Sequence, residues 1–424
     1  MALESYASES SVRQGGTIDF HVSDRVASEV AIRIFQVGAA QRLPILEVSV
    51  QAKRYPVPER AFEFGCGWPP LYSLKVPHEW PSGLYRAKLT NSETPSATSE
   101  IFFVVKPDEP GVSTKTLFQL STATYQAYND WGGKSLYPSD SSLRARRVSF
   151  HRPGGMDYTR EIAFLLWAKR NAFPLEFCAG IDLHIDPFLL SHYQLMISVG
   201  HDEYWSKEMR DQVERFIEGG GNVAFFSGNV CWWQVRFEDA NRTMVCYRSA
   251  PEDPLAGVDN SRVTVNWHCA PVNRPENHMT GVSFRNGAGI WRPCSSSMSQ
   301  KAFKVCQPHH WVFQGTGLTK GDLFGVRENI VGYETDSADY SVDEQGDIRL
   351  TGRDGTPPSF VVLATADLSD WGPCGQAGRA SMGVFRRCGT VFTAATTDWV
   401  NGLVRPNSVV QVITKNVLDR LSRP

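Results

Sequence analysis

Short apolar stretches with partial alternation of apolar and polar residues dominate roughly the first hundred positions. Pro, Gly and Ser separate these stretches, as is typical of short β-strands joined by turns. About seven strands in about a hundred residues is the spacing of an immunoglobulin-like sandwich. We therefore predict an immunoglobulin-like β-sandwich over residues 1–106, with strands at TIDFHVS, VAIRIFQV, LYSLKVP, GLYRAKLT and IFFVVK.

After a Pro/Gly-rich linker at residues 106–111, strand and helix patterns alternate. TLFQLSTATYQAYN favours a strand that runs into a turn at Asn129, and residues 158–170 have a helical pattern. Residues 195–199 form an apolar run that is typical of a buried strand, and Ser206 can cap the helix that follows. Alternating strands and helices predict an α/β domain over residues 107–424, with a mostly parallel sheet and helices on both faces. The chain as a whole is predicted to be a multidomain β plus α/β protein.

Four segments rich in ligand-contacting side chains occur at the ends of predicted strands. They are YQAYNDWGGKSLY at 125–137, GHDEYW at 200–205, SGNVCWW at 227–233 and TTDW at 396–399. Ligands of open α/β sheets bind at the carboxyl ends of the strands, so we expect these segments to converge on one edge. The alternative for GHDEYW is structural, with Asp202 capping and His201 packing.

Composition excludes several classes of function. The chain has 424 residues, enough for two or three domains, and a formal net charge of −2, which favours neither nucleic acid nor an anionic membrane as a partner. Its nine cysteines include no CxxC pair and are odd in number, which argues against a zinc ribbon or a full disulfide framework. The first residues lack a basic region followed by an apolar run, so we expect a cytoplasmic protein.

Five segments resemble the large (beta) subunit family of N,N-dimethylformamidase. They are AYNDWGGKSLY, SVGHDEYWS, FFSGNVCWW, GYETD and GTVFTAATTDW, and the resemblance covers roughly residue 71 to the C-terminus. It implies a glutaminase-like α/β domain in which a mononuclear iron replaces the usual thiol nucleophile. It also implies that two tyrosines and one glutamate bind the iron, and that a histidine and an asparagine line the substrate pocket.

The resemblance assigns the iron ligands residue by residue. Glu203 matches the ligand glutamate of GHDE, and Tyr128 is the first ligand tyrosine, with Tyr125 as the alternative. Tyr85, in PSGLYRAKL of the predicted sandwich, is the second. Phenolate and carboxylate are hard oxygen donors that suit ferric iron. Without the resemblance, these tyrosines are better explained as packing aromatics.

The same matches assign the pocket. His201 and Asn229 match the pocket histidine and asparagine, and Trp399 is a candidate substrate contact, with packing as its alternative. His201 would orient water or donate a proton to the leaving amine. Asn229 would hydrogen-bond the developing oxyanion, unless it is only a turn residue. We thus expect catalysis by His201, Glu203 and Asn229.

The expected activity is iron-dependent hydrolysis of the C–N bond of a small or N-alkylated amide. The family's large subunits pair with a small helical subunit, so the expected partner is such a subunit or a second copy of the chain. Two alternatives remain open: a thiol amidase or amidotransferase-like enzyme that uses Cys231, and a non-catalytic ligand-binding module. The spacing around Cys231 departs from a Gly-x-Nuc-x-Gly elbow.

Overall fold

The computed structural model describes residues 3–39, 43–138, 142–155, 157–292 and 302–423, which form a mixed, β-rich multidomain fold. The α-helices are α1 Ala61–Phe64, α2 Thr122–Tyr128, α3 Thr159–Arg170, α4 Gly180–Ile185, α5 Lys207–Glu218, α6 Asn277–Thr280 and α7 Val409–Leu421. The strands are β1 Leu3–Ala7, β2 Ser11–Arg13, β3 Thr17–Asp24, β4 Ser28–Gln36, β5 Leu46–Ala52, β6 Pro70–Lys75, β7 Gly83–Asn91, β8 Thr98–Lys106, β9 Thr116–Leu120, β10 Arg147–Ser149, β11 Glu176–Ala179, β12 Leu195–His201, β13 Tyr204–Ser206, β14 Asn222–Gly228, β15 Trp233–Glu238, β16 Thr243–Val245, β17 Ser283–Ile290, β18 Phe303–Val305, β19 Leu323–Phe324, β20 Glu334–Ser337, β21 Tyr340–Val342, β22 Ile348–Leu350, β23 Val361–Leu368, β24 Gly375–Gln376, β25 Gly378–Arg386 and β26 Thr390–Thr393.

Two sheets form from the first 106 residues. One has the order β1-β3-β6 and the other β2-β8-β7-β4-β5. Alternating side chains from both sheets meet in one buried cluster that includes Phe20, Ile32, Leu74 and Phe103. The five predicted strands are present, because period-2 alternation with one buried face specifies them strongly. The immunoglobulin-like topology and the boundary at residue 106 stay predictions.

The largest sheet has nine strands, in the order β11-β9-β12-β14-β26-β25-β23-β18-β19. The first five strands pair in parallel, whereas the pairings from β26 to β19 are antiparallel. The predicted mostly parallel sheet is therefore a mixed one. The short connection between β25 and β26 can join only antiparallel neighbours, because parallel neighbours need a crossover of a dozen or more residues. The glutaminase-like assignment stays a prediction.

The predicted helices at 158–170 and after Ser206 correspond to α3 and α5. Ser206 caps α5, because its Oγ accepts the Met209 N–H. The stretch after β9 differs from its prediction: the strand ends at Leu120 and the chain turns into α2. The parallel pairing of β9 with β12 extends only to Gln119, so the following residues are free to form a helix. In the described part of the chain, no helix combines the length and apolar character needed to cross a membrane.

Candidate functional site

The four polar segments follow adjacent parallel strands, as predicted. Strands β9, β12, β14 and β26 are neighbours in that order, so their carboxyl ends lie along one edge of the sheet. His201 is the last residue of β12 and pairs with Gly228, the last residue of β14. The strand order therefore places α2, the GHDE turn and Asn229 next to one another.

Tyr128 and Glu203 form the first pair of the site. The Tyr128 hydroxyl donates to Oε2 of Glu203 at 2.7 Å, and Glu203 is buried. The Glu203 backbone N–H donates to Oγ1 of Thr124, one turn earlier in α2, which fixes the carboxylate beside the helix. Burial, and then the charge of Glu203, raises the pKa of Tyr128 well above its usual value. The phenol thus keeps its proton unless a cation takes that proton's place.

His201 and Glu334 form the second pair. Nε2 of His201 lies 2.9 Å from Oε2 of Glu334 and 3.4 Å from Oε2 of Glu203. Burial alone would lower the pKa of His201, but the two carboxylates outweigh it and raise that pKa to about 9. Burial would raise the pKa of Glu334, yet His201 outweighs it and holds that pKa below its usual value. The pair is therefore an imidazolium–carboxylate pair near neutral pH.

Glu334 is the site residue that the sequence reasoning missed. It begins β20, and its backbone bonds to Thr397 hold this strand against the segment that follows β26. Two signals were available: GYETD was one of the segments that carry the resemblance, and Glu334 is an acidic residue in a strand whose other residues are buried.

Asn229 adopts a left-handed conformation directly after β14, with φ 50°. Its backbone N–H donates to Oδ1 of Asp336 at 3.0 Å, which holds the turn. A Cβ on the preceding Gly228 would lie 2.7 Å from the Thr397 nitrogen, so this position requires glycine. Asn229 is therefore both a turn residue and a site residue, because the turn directs its side-chain amide towards the buried pairs.

The Asn229 side chain already uses its donor. Its Nδ2 donates to Oε2 of Glu334 at 3.1 Å and lies 3.5 Å from Nε2 of His201. Its Oδ1 is buried and has no hydrogen-bond partner among the described residues. Oδ1 of Asn229 is therefore a free acceptor beside the two pairs, which suits a water or an N–H of a ligand.

Aromatic side chains surround the two pairs. The Tyr137 ring stacks on Tyr128 with centroids 4.5 Å apart, and the Tyr333 ring lies 6.0 Å from His201. The Trp291 Nε1–H donates to Oε1 of Glu334 at 2.9 Å. These contacts leave the buried polar atoms in largely apolar surroundings, where electrostatic interactions are strong.

Two of the predicted tyrosines lie elsewhere. The Tyr125 hydroxyl donates to both carboxylate oxygens of Glu161 at 2.7 Å, which leaves Tyr128 as the tyrosine beside Glu203. Tyr85 lies in the sandwich core, where its ring stacks on Trp80 and its hydroxyl donates to the Pro81 carbonyl at 2.7 Å. The structure does not bring Tyr85 to Tyr128 and Glu203, because its inward-facing position on β7 serves the sandwich core.

Trp399 and Asp202 have structural contacts. Trp399 is fully buried, packs on Phe226 and donates its indole N–H to Thr414 at 2.9 Å. It is therefore packed in the core rather than presented to a substrate. The Asp202 carboxylate accepts a hydrogen bond from Ser198 at 2.7 Å and so points back along its own strand.

Comparison with known proteins shows the family to which the chain is similar. A family model described as N,N-dimethylformamidase beta subunit-like, C-terminal, matches residues 36–411. No curated protein matches the chain. A crystal structure of a ThuA-like protein from Parabacteroides merdae is similar at a TM-score of 0.31 and 11% identity, over 74% of this chain and 90% of that one. A sialyltransferase from Photobacterium damsela reaches a TM-score of 0.13 and 9% identity, over 51% and 35% of the two chains.

Proposed function

We propose an activity from the premise that this chain belongs to the N,N-dimethylformamidase beta subunit-like family: iron-dependent hydrolysis of an amide C–N bond. The observation that carries the proposal is the buried contact of two pairs, Tyr128–Glu203 and His201–Glu334, at the carboxyl edge of the parallel strands. Burying ionisable groups costs free energy, so a cluster of four such groups indicates a functional site.

Two of the three expected ligands fit an iron ion. Tyr128 and Glu203 present a phenol and a carboxylate oxygen within hydrogen-bonding distance, and both are hard donors. Among the described residues, no group of three or more His, Cys, Asp or Glu side chains has a metal-binding arrangement, so a metal here would depend on tyrosine. Tyr85 does not fit as the third ligand, because its hydroxyl is bonded within the sandwich.

A bound ferric ion would polarise an amide carbonyl and lower the pKa of water. The chain's own residues supply the rest. His201, paired with Glu334 at 2.9 Å, would give its proton to the leaving nitrogen when the C–N bond breaks. The free Oδ1 of Asn229 accepts a hydrogen bond from the attacking water and so orients it. Water provides the oxygen of the acid product, and the amine leaves with the proton from His201. The proton that the water loses returns to the His201–Glu334 pair and restores it.

The thiol alternative finds no support in the position of Cys231. This residue is fully buried in an apolar cluster, and burial raises the pKa of its thiol. A nucleophilic cysteine needs a thiolate and access to substrate, and Cys231 has neither feature. The binding-module alternative does not account for the buried ion pair of His201 and Glu334.

Elemental analysis and an amide panel test the proposal together. Protein produced with iron supplied should contain about one iron per chain and should hydrolyse some N-alkyl formamides or acetamides. A strong iron chelator should abolish the activity, whereas iodoacetamide should leave it intact. Absence of both bound metal and hydrolysis would favour the binding module, and sensitivity to iodoacetamide alone would favour the thiol enzyme.

The family's description as beta subunit-like also supports a partner chain. We propose a small helical subunit, with a homo-oligomer as the alternative. Sedimentation of the purified chain separates the two, because a chain that needs a missing subunit should be monomeric and poorly active alone.

A further inference from the structure

Two of the most exposed aromatic residues of the protein touch its buried polar site. Trp291 is 41% exposed and Tyr137 is 40% exposed. The Trp291 indole N–H donates to Glu334, and Tyr137 stacks on Tyr128. Each therefore has one part in solvent and another against a site residue, which is the arrangement expected at the mouth of a binding site.

Neighbouring backbone atoms fix the position of the Trp291 indole. The Cβ that an alanine at Gly289 would carry lies 2.7 Å from Cζ2 of the indole, and one at Gly375 lies 3.0 Å from Cε3. The Trp291 backbone N–H also donates to the Cys374 carbonyl at 2.9 Å. The indole thus lies against two glycine positions that leave room for its flat face. A large aromatic ring fixed in this way loses little entropy when a ligand packs on it.

Two further aromatic rings pack behind Trp291, and the first of them, Phe284, is buried. Phe284 lies 6.1 Å from Trp291, and Trp232 lies 5.4 Å from Phe284, measured between ring centroids. We call Trp291, Phe284 and Trp232 the aromatic wall. It begins at the exposed Trp291 ring, whose N–H is bonded to Glu334, the partner of His201.

We propose that the substrate is an N-aryl amide, with its aryl ring on the aromatic wall and its carbonyl at the Tyr128–Glu203 pair. This inference rests on the proposed hydrolase function. Trp291 is bonded to Glu334, which lies 2.9 Å from His201, so the ring lies at the His201–Glu334 pair while the carbonyl lies at the Tyr128–Glu203 pair. This arrangement puts the ring on nitrogen rather than on the acyl carbon. Aromatic pairs gain energy beyond their buried area when rings stack or meet edge to face, which a saturated ring of similar size cannot do.

A size-matched pair of substrates tests the proposal. Formanilide and N-cyclohexylformamide differ mainly in the planarity of the ring, and benzamide carries the ring on the acyl side. We expect kcat/KM for formanilide to exceed that for the other two by at least about tenfold, through a lower KM. Equal values for formanilide and N-cyclohexylformamide, or a preference for benzamide, would overturn the proposal.

Amino-acid substitutions distinguish the effect of the aromatic wall from a general loss of structure. Trp291→Ala should remove most of the preference for formanilide, whereas Trp291→Phe keeps a ring and should retain it. Gly289→Ala should act like Trp291→Ala, since its methyl group displaces the indole. Phe188→Ala, at a 70% exposed aromatic residue with no contact to the site, is the control and should change nothing. A preference that survives Trp291→Ala would contradict the proposal.

Binding measured by calorimetry tests the aromatic wall independently of the proposed hydrolase function. If no amide is hydrolysed, the proposed function fails, and binding then decides the wall by itself. Tighter binding of formanilide than of N-cyclohexylformamide, lost in Trp291→Ala, would support the aromatic wall. Equal binding of the two amides would overturn it.

Discussion

Oε2 of Glu334 lies 2.9 Å from Nε2 of His201, and both side chains are buried. His201 ends a central strand of the parallel half of the sheet, whereas Glu334 begins a strand of a separate three-stranded sheet. The contact therefore depends on how β20 lies across the strand ends. It fixes the orientation of the imidazole and supplies a negative charge that stabilises its protonated form.

Glu334→Gln should slow turnover while leaving iron in place. The amide is nearly isosteric, but it carries no charge and cannot share a proton with His201. We expect kcat to fall by about 10²- to 10⁴-fold, the range for a lost proton-transfer group. Iron content, measured on the same preparation, should be unchanged. Glu344→Gln, at an exposed turn, is the matched control, and an equal loss there would show that the effect is not specific.

Tyr128→Phe should remove most of the iron and the visible colour of the protein. A phenolate bound to ferric iron absorbs visible light, and this variant lacks the hydroxyl that meets Glu203. Tyr125→Phe and Tyr85→Phe are matched controls, because their hydroxyls are bonded to Glu161 and Pro81. We expect both controls to keep iron, as measured by elemental analysis and absorbance. Loss of iron in Tyr85→Phe alone would restore the ligand assignment made from the sequence.

The sequence predicted the parts of the site that follow from local chain geometry. His201, Glu203 and Asn229 come together because each stands at the end of a parallel strand, and neighbouring strands carry them to one edge. Tyr128 arrives on a helix rather than in a turn, but beside the same edge. Their proximity could be predicted because the order of parallel strands alone determines which strand ends are neighbours.

The remaining residues depend on contacts between distant segments. Glu334 and Trp291 reach the site through the pairing of β20 with β17, which hydrophobic periodicity does not encode. Tyr85 was assigned through the family resemblance, by its place in PSGLYRAKL, and its position on β7 faces the sandwich core. The antiparallel half of the nine-stranded sheet escaped prediction for a similar reason, because it includes the long-range pairing of β18 with β23.

Trp399→Phe should destabilise the protein without changing its substrate preference. The smaller ring leaves a cavity between Phe226 and Phe392 and leaves the Thr414 hydroxyl without its indole donor. We expect a loss of about 1–3 kcal/mol in the free energy of unfolding, as for other buried large-to-small changes. Urea unfolding measures this loss, and KM for the preferred amide should stay unchanged. A raised KM with unchanged stability would return Trp399 to the substrate pocket.

Glu208→Gln should make stability less dependent on acid pH. Glu208 lies in the first turn of α5, the helix that begins just after the GHDE segment, and its carboxylate contacts His184 at 3.3 Å and also Arg262. Burial would raise the pKa of this carboxyl, but the hydrogen bonds from His184 and Arg262 outweigh it and hold the pKa at about 2. The contacts therefore stabilise the fold fully above the unfolded pKa of 4.5, and this contribution is lost as the pH falls towards 2.

The glutamine side chain is uncharged at every pH, so its contribution to stability does not change as the pH falls. We expect the wild-type protein to be the more stable of the two near neutral pH, and the difference between their free energies of unfolding to shrink as the pH falls below about 4.5. Urea titrations at a series of pH values, down to the lowest at which both proteins fold, measure this difference. The exposed Glu344→Gln variant should show no such convergence, because Glu344 forms no ion pair with another described residue. A difference between wild type and Glu208→Gln that stays constant with pH would show that the two ion contacts of Glu208 contribute nothing to folding.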